Sequence, residues 1–201
     1  MLKGTVKENK AIIFNGDNYT EEWHDEAERR GLPNLRESAD AIPVLSSRDN
    51  VSLFKKMGVL TKQEVDSRTT IFLEKYVMQI QIEVGTMLEL ARGSILPAAR
   101  KEQQRMAQTL AASEAVNIDC AHDRESLDGL VTLIASAKAA TESLAESASD
   151  FPEDPKLAAE YIRDSVKPRM DALREAGDAL EAVVSAELWP LPTYRDMLFI
   201  K

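Results

Sequence analysis

The chain has 201 residues, of which 44% are hydrophobic and 29% are charged, and its formal net charge is −9. This length and apolar content predict one globular domain, with or without appendages, and exclude wholesale disorder. The single cysteine, Cys120, excludes an intramolecular disulfide framework and a zinc site built from several cysteines. The acidic balance argues against broad binding to nucleic acid or to an anionic membrane surface.

The N-terminal residues lack the apolar core of a secretory signal, and no apolar run is long enough for a transmembrane helix, so the expected compartment is the cytoplasm. The negative charge is unevenly distributed. Residues 1–60 carry a net charge of −1, residues 61–112 carry +1, and residues 113–201 carry −9. A solvated surface that keeps the protein soluble is the favoured interpretation, and docking to a basic partner is the alternative.

Residues 1–60 predict a short strand, a turn and a helix. Ala11–Phe14 is an apolar run too short for a helix, and Asn15–Asn18 is typical of a turn. Thr20 then caps a helix over Glu21–Arg30, which Gly31 ends. A lone strand is not stable, and the chain offers no obvious second strand. The run is therefore either not a strand or the edge of a sheet that lies in preceding polypeptide.

A second short helix is expected after Ser47, with Gly58 as its end. From residue 61 onwards, the sequence predicts long helices. Thr61 and Glu64 form a capping box, and apolar residues, Phe72 among them, then recur on one helical face up to Leu96. The ring of Pro97 deprives the carbonyl of Gly93 of its hydrogen-bond donor. We therefore expect a kink there, with the helix resuming to about residue 112.

The second long helix is predicted from about His122 to Ser147 and carries the clearest periodic signal in the chain. Apolar and small residues alternate steps of three and four along it, as in a coiled-coil seam, at Leu127, Leu130, Ile134, Ala137, Thr141, Leu144 and Ala148. Asp154 and Pro155 are a good start for a third helix, which has Leu157 among its inward-facing residues. Pro168 bends this helix, and it runs to about Leu188.

The predicted fold class is therefore mainly α. Three long amphipathic helices with short connections favour an antiparallel bundle of partly kinked helices over residues 61–188, preceded by the strand-turn-helix segment of residues 1–60. Residues 189–201 form an apolar tail. The tail either folds back on its own bundle or docks onto another domain or subunit, and the sequence leaves both open.

The sequence contains few candidates for catalysis. His24 and His122 match no metal-ligand spacing, and Cys120 is a structural residue in the favoured interpretation, although a cysteine near a histidine can form an activated nucleophile. The turn Asn15–Asn18 lacks the glycine pattern of a phosphate loop, and Asp17 would repel phosphate. We therefore predict no catalytic, cofactor-binding or metal-binding residue. The candidate interface residues are Trp23, Trp189, Tyr194, Leu198 and Phe199.

Several segments together resemble the C-terminal region of type III glutamine synthetases. The specific ones lie at the two ends of the chain: Ala11–Tyr19, Glu22-Trp23, Glu26–Leu32, Trp189–Tyr194 and Leu198-Phe199. The middle is similar in layout, at Phe54–Leu60, Arg68, Glu74–Tyr76 and Ile95–Ala98, whereas the alanine-rich second long helix is unspecific.

The resemblance implies part of a longer bacterial enzyme that joins glutamate and ammonia using ATP and Mg, and that assembles as a large homo-oligomer. The residues that bind metal, nucleotide and glutamate would lie in preceding motifs, so none is transferred to this chain. Residues 1–60 would be the end of the catalytic domain. The partners of the chain would be the preceding catalytic domain and neighbouring subunits of the homo-oligomer. This implies a structural, assembly or regulatory role without a complete active site. The alternative is a stand-alone helical adaptor that binds another protein, and an independent enzyme using Cys120 or His122 is a distant third.

Overall fold

The computed structural model describes residues 2–10, 13–192 and 194–198, and within them the protein is helical without a strand. The prediction of a mainly α protein is confirmed. The helices, in chain order, are α1 Leu2–Glu8, α2 Glu21–Arg29, α3 Ser38–Val44, α4 Arg48–Met57, α5 Lys62–Leu90, α6 Leu96–Glu114, α7 Ala121–Ser147, α8 Pro155–Tyr161, α9 Lys167–Glu181 and α10 Tyr194–Leu198.

The two short helices predicted within residues 1–60 are present as α2 and α4. Gly31 and Gly58 follow them with φ of 72° and 66°, the left-handed conformation that glycine adopts without strain. The side chain of Ser47 accepts a hydrogen bond from the backbone N–H of Asn50 at the start of α4. The predicted cap at Thr20 is wrong, because its hydroxyl donates to the carbonyl of Asp17 and accepts no hydrogen bond from α2. Helices α1 and α3 were not predicted.

The predicted strand over residues 11–14 has no counterpart in the described residues. Ile13 and Phe14 belong to no helix or strand, and Ala11 and Ile12 lie outside the described part of the chain. The strand therefore stays a prediction.

The longest helical segment begins with the predicted capping box. The side chain of Thr61 accepts from the backbone N–H of Glu64, and the Glu64 carboxylate accepts from the backbone N–H of Thr61 at 2.7 Å. That backbone hydrogen bond, together with one from the Thr61 hydroxyl, holds the pKa of Glu64 below its usual range. Helix α5 then runs for 29 residues.

Between α5 and α6, a five-residue π-helical segment, Ala91–Ile95, precedes Pro97. The N–H of Leu96 donates to the carbonyl of Ala91, five residues earlier, so this turn holds one residue more than a regular α-helical turn. The wider turn accommodates the proline ring, and the helix continues to Glu114 as predicted. A second π-helical segment, Ile162–Val166, lies in the same way before Pro168.

The predicted seam of α7 is buried at Leu130, Ile134, Ala137, Thr141 and Leu144. It contributes to two clusters. In the first, it packs against Ala99 of α6 and against Leu180, Val184 and Trp189. In the second, Leu144 packs against residues of α5, of both π-helical segments and of α9: Val84, Ala91, Ile162, Val166 and Leu173. Helix α7 therefore contributes buried residues to both clusters through this one seam.

Three expectations for the third helix and for α5 were wrong. Helix α9 ends at Glu181 and not at Leu188, and tighter turns follow it: Val183 N–H donates to the carbonyl of Leu180, and Leu188 N–H donates to that of Ser185. These turns bring Val184 and Trp189 into the same cluster. Leu157 and Phe72, expected to face inward, are exposed. The predicted cap at Asp154 is confirmed, since its carboxylate accepts from the N–H groups of residues 156 and 157.

Candidate functional site

Trp23, the first candidate interface residue, is half-buried by side chains of its own segment. Its ring lies against Phe14, with 4.9 Å between ring centroids, and the guanidinium of Arg30 lies 5.8 Å from its centroid. Arg30 also donates to the carbonyl of Ile13 at 2.7 Å and pairs with Glu26 at 2.5 Å. These contacts connect α2 to the turn that precedes it.

A polar junction joins residues 1–60 to the C-terminal helices. It consists of Glu37 with Lys167, whose side chains lie 2.6 Å apart, and Asp40 with Arg163. The hydrogen bond that Lys167 donates to the Glu37 carboxylate raises the pKa of Lys167. Each pair spans more than 120 residues of sequence, so the junction is a tertiary feature that local pattern cannot predict.

An apolar contact lies beneath the polar junction. Ala39 of α3 packs against Leu73 of α5 and Ala159 of α8, and Tyr76 packs at the margin. The hydroxyl of Tyr76 is buried without a hydrogen-bond partner in the described residues, and burial raises the pKa of this phenol. Helix α3 therefore lies on the long helices through both apolar and charged contacts.

The structure divides the C-terminal tail. Trp189 is only 8% exposed and packs among residues of α6, α7 and α9, as expected if this part of the tail folds back. Met197 and Leu198 of α10 are exposed. The side chain of Tyr194 and the whole of Phe199 lie outside the described residues. Within the tail, an interface role therefore stays a prediction for the residues after Trp189.

A cavity of about 470 Å³ lies beside Trp189, between the first π-helical segment and α9. Its walls are mainly apolar, with Met87, Ile95, Met170, Leu173 and Leu191 among them. Arg174 and Asp178 also line the cavity and pair with each other at 2.8 Å.

The chemically reactive side chains do not converge in the part of the chain that the structure describes. The thiol of Cys120 is buried and donates to the carbonyl of Ile118 at 3.2 Å. No hydrogen bond joins Cys120 to His122 among the described side chains. Asp17 accepts from the backbone N–H of Tyr19, as turn residues commonly do. Within residues 2–10, 13–192 and 194–198, no group of three or more His, Cys, Asp or Glu side chains is placed to hold a metal ion.

Helix α5 has a second apolar face that the sequence analysis missed. Ile71, Met78 and Ile82 are 55%, 60% and 64% exposed. They are separated by seven and four residues, so they fall within about 40° of one another around the helix. We call them the α5 stripe. The stripe lies opposite the buried face, because Leu73 follows Ile71 by two residues, or about 200°. The signal was visible in the sequence as a second set of helically spaced apolar residues.

The chain is similar to known proteins over nearly its whole length. The family described as Glutamine synthetase C-terminal domain matches residues 1–114. The chain belongs to this family. It is 29% identical to a type-3 glutamine synthetase of Dictyostelium discoideum and 32% identical to a glutamine synthetase of Butyrivibrio fibrisolvens, over 100% and 99% of its own length. It spans only 28% and 29% of those relatives and corresponds to their C-terminal part.

A glutamine synthetase of Bacteroides fragilis gives the same result, with 29% identity over 100% of this chain and 29% of the relative. The resemblance stated from the terminal motifs is thereby confirmed. In the described residues, no helix combines the length and the apolar character needed to span a bilayer.

Proposed function

We propose that this chain is the C-terminal helical part of a glutamine synthetase that joins glutamate and ammonia at the expense of ATP. In this proposal, its own role is structural, in assembly or regulation, and it holds no complete active site. The observation that carries the proposal is the match over nearly the whole chain to relatives of which it spans only 28–29%. The matched part ends the relatives, so most of their length precedes it.

ATP and Mg are assigned to the preceding part of the polypeptide. A site for a hard divalent cation needs convergent oxygen ligands, and the described residues gather no such donor set. We therefore derive no step in which this segment holds the metal or the nucleotide.

The division at residues 60 and 188 is part of the proposal. Residues 1–60 would belong to the end of the catalytic domain, and the run Ala11–Phe14 would add a strand to a sheet formed by the preceding polypeptide. Residues 61–188 would form an antiparallel bundle. This is supported by the short connections between α6, α7 and α8 and by the cluster that α6, α7 and α9 share. The polar junction of Glu37, Asp40, Arg163 and Lys167 would hold the two parts together.

Neighbouring subunits of a homo-oligomer are the proposed further partners. The exposed Leu198, together with Tyr194, Phe199 and the outer edge of Trp23, would contribute contacts. The compartment is proposed to be the cytoplasm of a bacterium, where the reaction would supply glutamine. The source stays a prediction, because one of the relatives comes from Dictyostelium discoideum.

The test is the size and activity of the natural polypeptide. An antibody raised against the 201-residue chain should detect a band near 80 kDa in a lysate of the source. This mass is expected because the chain has a mass of 22.3 kDa and covers 28% of its relative from Dictyostelium discoideum. Purified, that polypeptide should form glutamine from glutamate and ammonia with ATP, whereas the 201-residue chain should not. A band at 22.3 kDa would refute the proposal and would indicate a stand-alone adaptor instead. The comparisons do not favour that alternative.

A further inference from the structure

We propose that the α5 stripe, Ile71, Met78 and Ile82, is the docking surface for the part of the polypeptide that precedes this segment. The inference rests on the proposed function and adds to it the surface on which the catalytic part would sit. Its starting point is that α5 has apolar side chains on two opposite faces, and the residues that the structure describes cover only one of them.

The solvent face of an amphipathic helix is normally polar, and single exposed apolar side chains are common. The stripe differs from that pattern, because its three large residues are aligned. They extend over twelve residues, and the first and the last are about 16 Å apart along the helix axis. Each of the three side chains is more than half exposed. Helix α5 is regular and begins with a capping box, so the exposure is not due to a frayed helix end. An aligned apolar stripe of this kind marks a surface that another element covers.

The rest of the molecule indicates which element that is. Most of the large apolar side chains that are exposed in the described residues lie between residues 2 and 114, the range that the family match covers. They include Tyr19, Leu53, Met57 and Val59 besides the stripe. Residues 113–201 carry the whole negative charge excess and expose fewer such side chains. Because the relatives continue mostly before this segment, their preceding part is the polypeptide available to cover residues 2–114.

Charged residues border the stripe and define the surface that fits it. Arg68 and Lys75 lie within about 60° of Ile71 on one side, and Glu74 lies at a similar angle on the other. The occupant should therefore present an apolar patch with carboxylates opposite the two basic residues.

Site-specific photocrosslinking in the full-length polypeptide tests the inference. Met78 is replaced by a diazirine analogue of methionine, and the same analogue at Val131 of α7, which is 41% exposed, is the control. Crosslinks from position 78 to peptides of the preceding part, absent from position 131, are expected. The inference would be overturned if position 78 crosslinked only to residues 1–201 of a second copy. It would also be overturned if the photoactivated group reacted only with water and gave no crosslinked peptide.

A substitution gives a second readout. In the full-length polypeptide, Ile82→Glu should weaken docking by at least about tenfold, because a carboxylate would be buried without a partner. Met78 should then be oxidised to the sulfoxide by peroxide faster than in the unsubstituted protein, whereas Val131→Glu should leave that rate unchanged. Equal oxidation rates in all three proteins would contradict the inference.

The two proposals fail in different ways. A full-length polypeptide that makes glutamine but gives no crosslink from position 78 to its preceding part refutes only the docking surface. A polypeptide without that activity, or a natural chain of only 22.3 kDa, refutes the proposed function and the docking surface with it.

Discussion

The first π-helical segment allows a test of how Pro97 is tolerated inside a long helix. The segment holds one extra residue, and Gly93 within it is exposed, with open space where a side chain would be. Deleting Gly93 should let the regular hydrogen-bond pattern continue from α5 into α6. The buried faces of the two helices should keep their present relative orientation, because a π-bulge is equivalent to one inserted residue.

The expected cost follows from the proline. In a regular helix, Pro97 would lack the N–H that bonds to the fourth preceding carbonyl, and its ring would clash with that carbonyl, at a cost of about 3 kcal/mol. The further substitution Pro97→Ala should remove this cost, so the double variant should lie within about 1 kcal/mol of the parent.

Urea unfolding of the 201-residue chain, followed by circular dichroism at 222 nm, measures these differences. With an unfolding slope of about 2 kcal/mol/M, a loss of 3 kcal/mol lowers the midpoint by about 1.5 M. The single variant Pro97→Ala is the control and should retain the parent midpoint within about 0.5 M. The reasoning is refuted if the deletion alone leaves the midpoint unchanged, or if Pro97→Ala does not restore it.

Three further outcomes are expected. Ile134→Asp should lower the free energy of unfolding by several kcal/mol, because Ile134 is buried in the α7 seam, whereas Val131→Asp on the exposed side should change it little; equal midpoints in urea would contradict the packing. A double-mutant cycle with Glu37→Gln and Lys167→Gln should give a coupling of about 0.5–1 kcal/mol. Because Glu37 raises the pKa of Lys167, this coupling is complete below pH 10.5 and is lost as the pH rises through the raised value, and coupling that persists above that value would contradict the sign. Deleting residues 189–201 should cost about 3–5 kcal/mol through loss of buried Trp189, whereas deleting only residues 194–201 should leave thermal stability nearly unchanged.

The elements that the sequence predicted well are those with local causes. The caps at Thr61 and Asp154 and the glycine end at Gly58 depend on groups within a few residues of one another, and each is present. The α7 seam was predicted because a helix buried along one stripe repeats every three or four residues, and five of its positions are buried. The family was also recognisable from its terminal motifs.

The rest depends on contacts that sequence spacing does not show. Helix α3 lies where Ala39 meets α5 and α8 and where Glu37 reaches Lys167, 130 residues away. Trp189 lies eight residues beyond the end of α9 and is buried in the cluster that α6, α7 and α9 share. Periodicity does not show this tertiary contact, and it extended the helix too far. Phe72 was assigned to the core because its spacing fits the apolar face, yet it is 48% exposed.

Helix α5 shows why such an assignment fails. Periodicity finds a face by assuming that a helix has only one, and α5 has a buried face through Val65, Leu73 and Val84 and an exposed one through the α5 stripe. Helix α7 buries its seam against α6 and α9 of the same chain, so one periodic pattern accounts for it. A helix apolar on both sides is expected where a segment lies between two layers of a larger protein. That is the position that the proposed docking surface gives to α5, between the C-terminal helices and the preceding polypeptide.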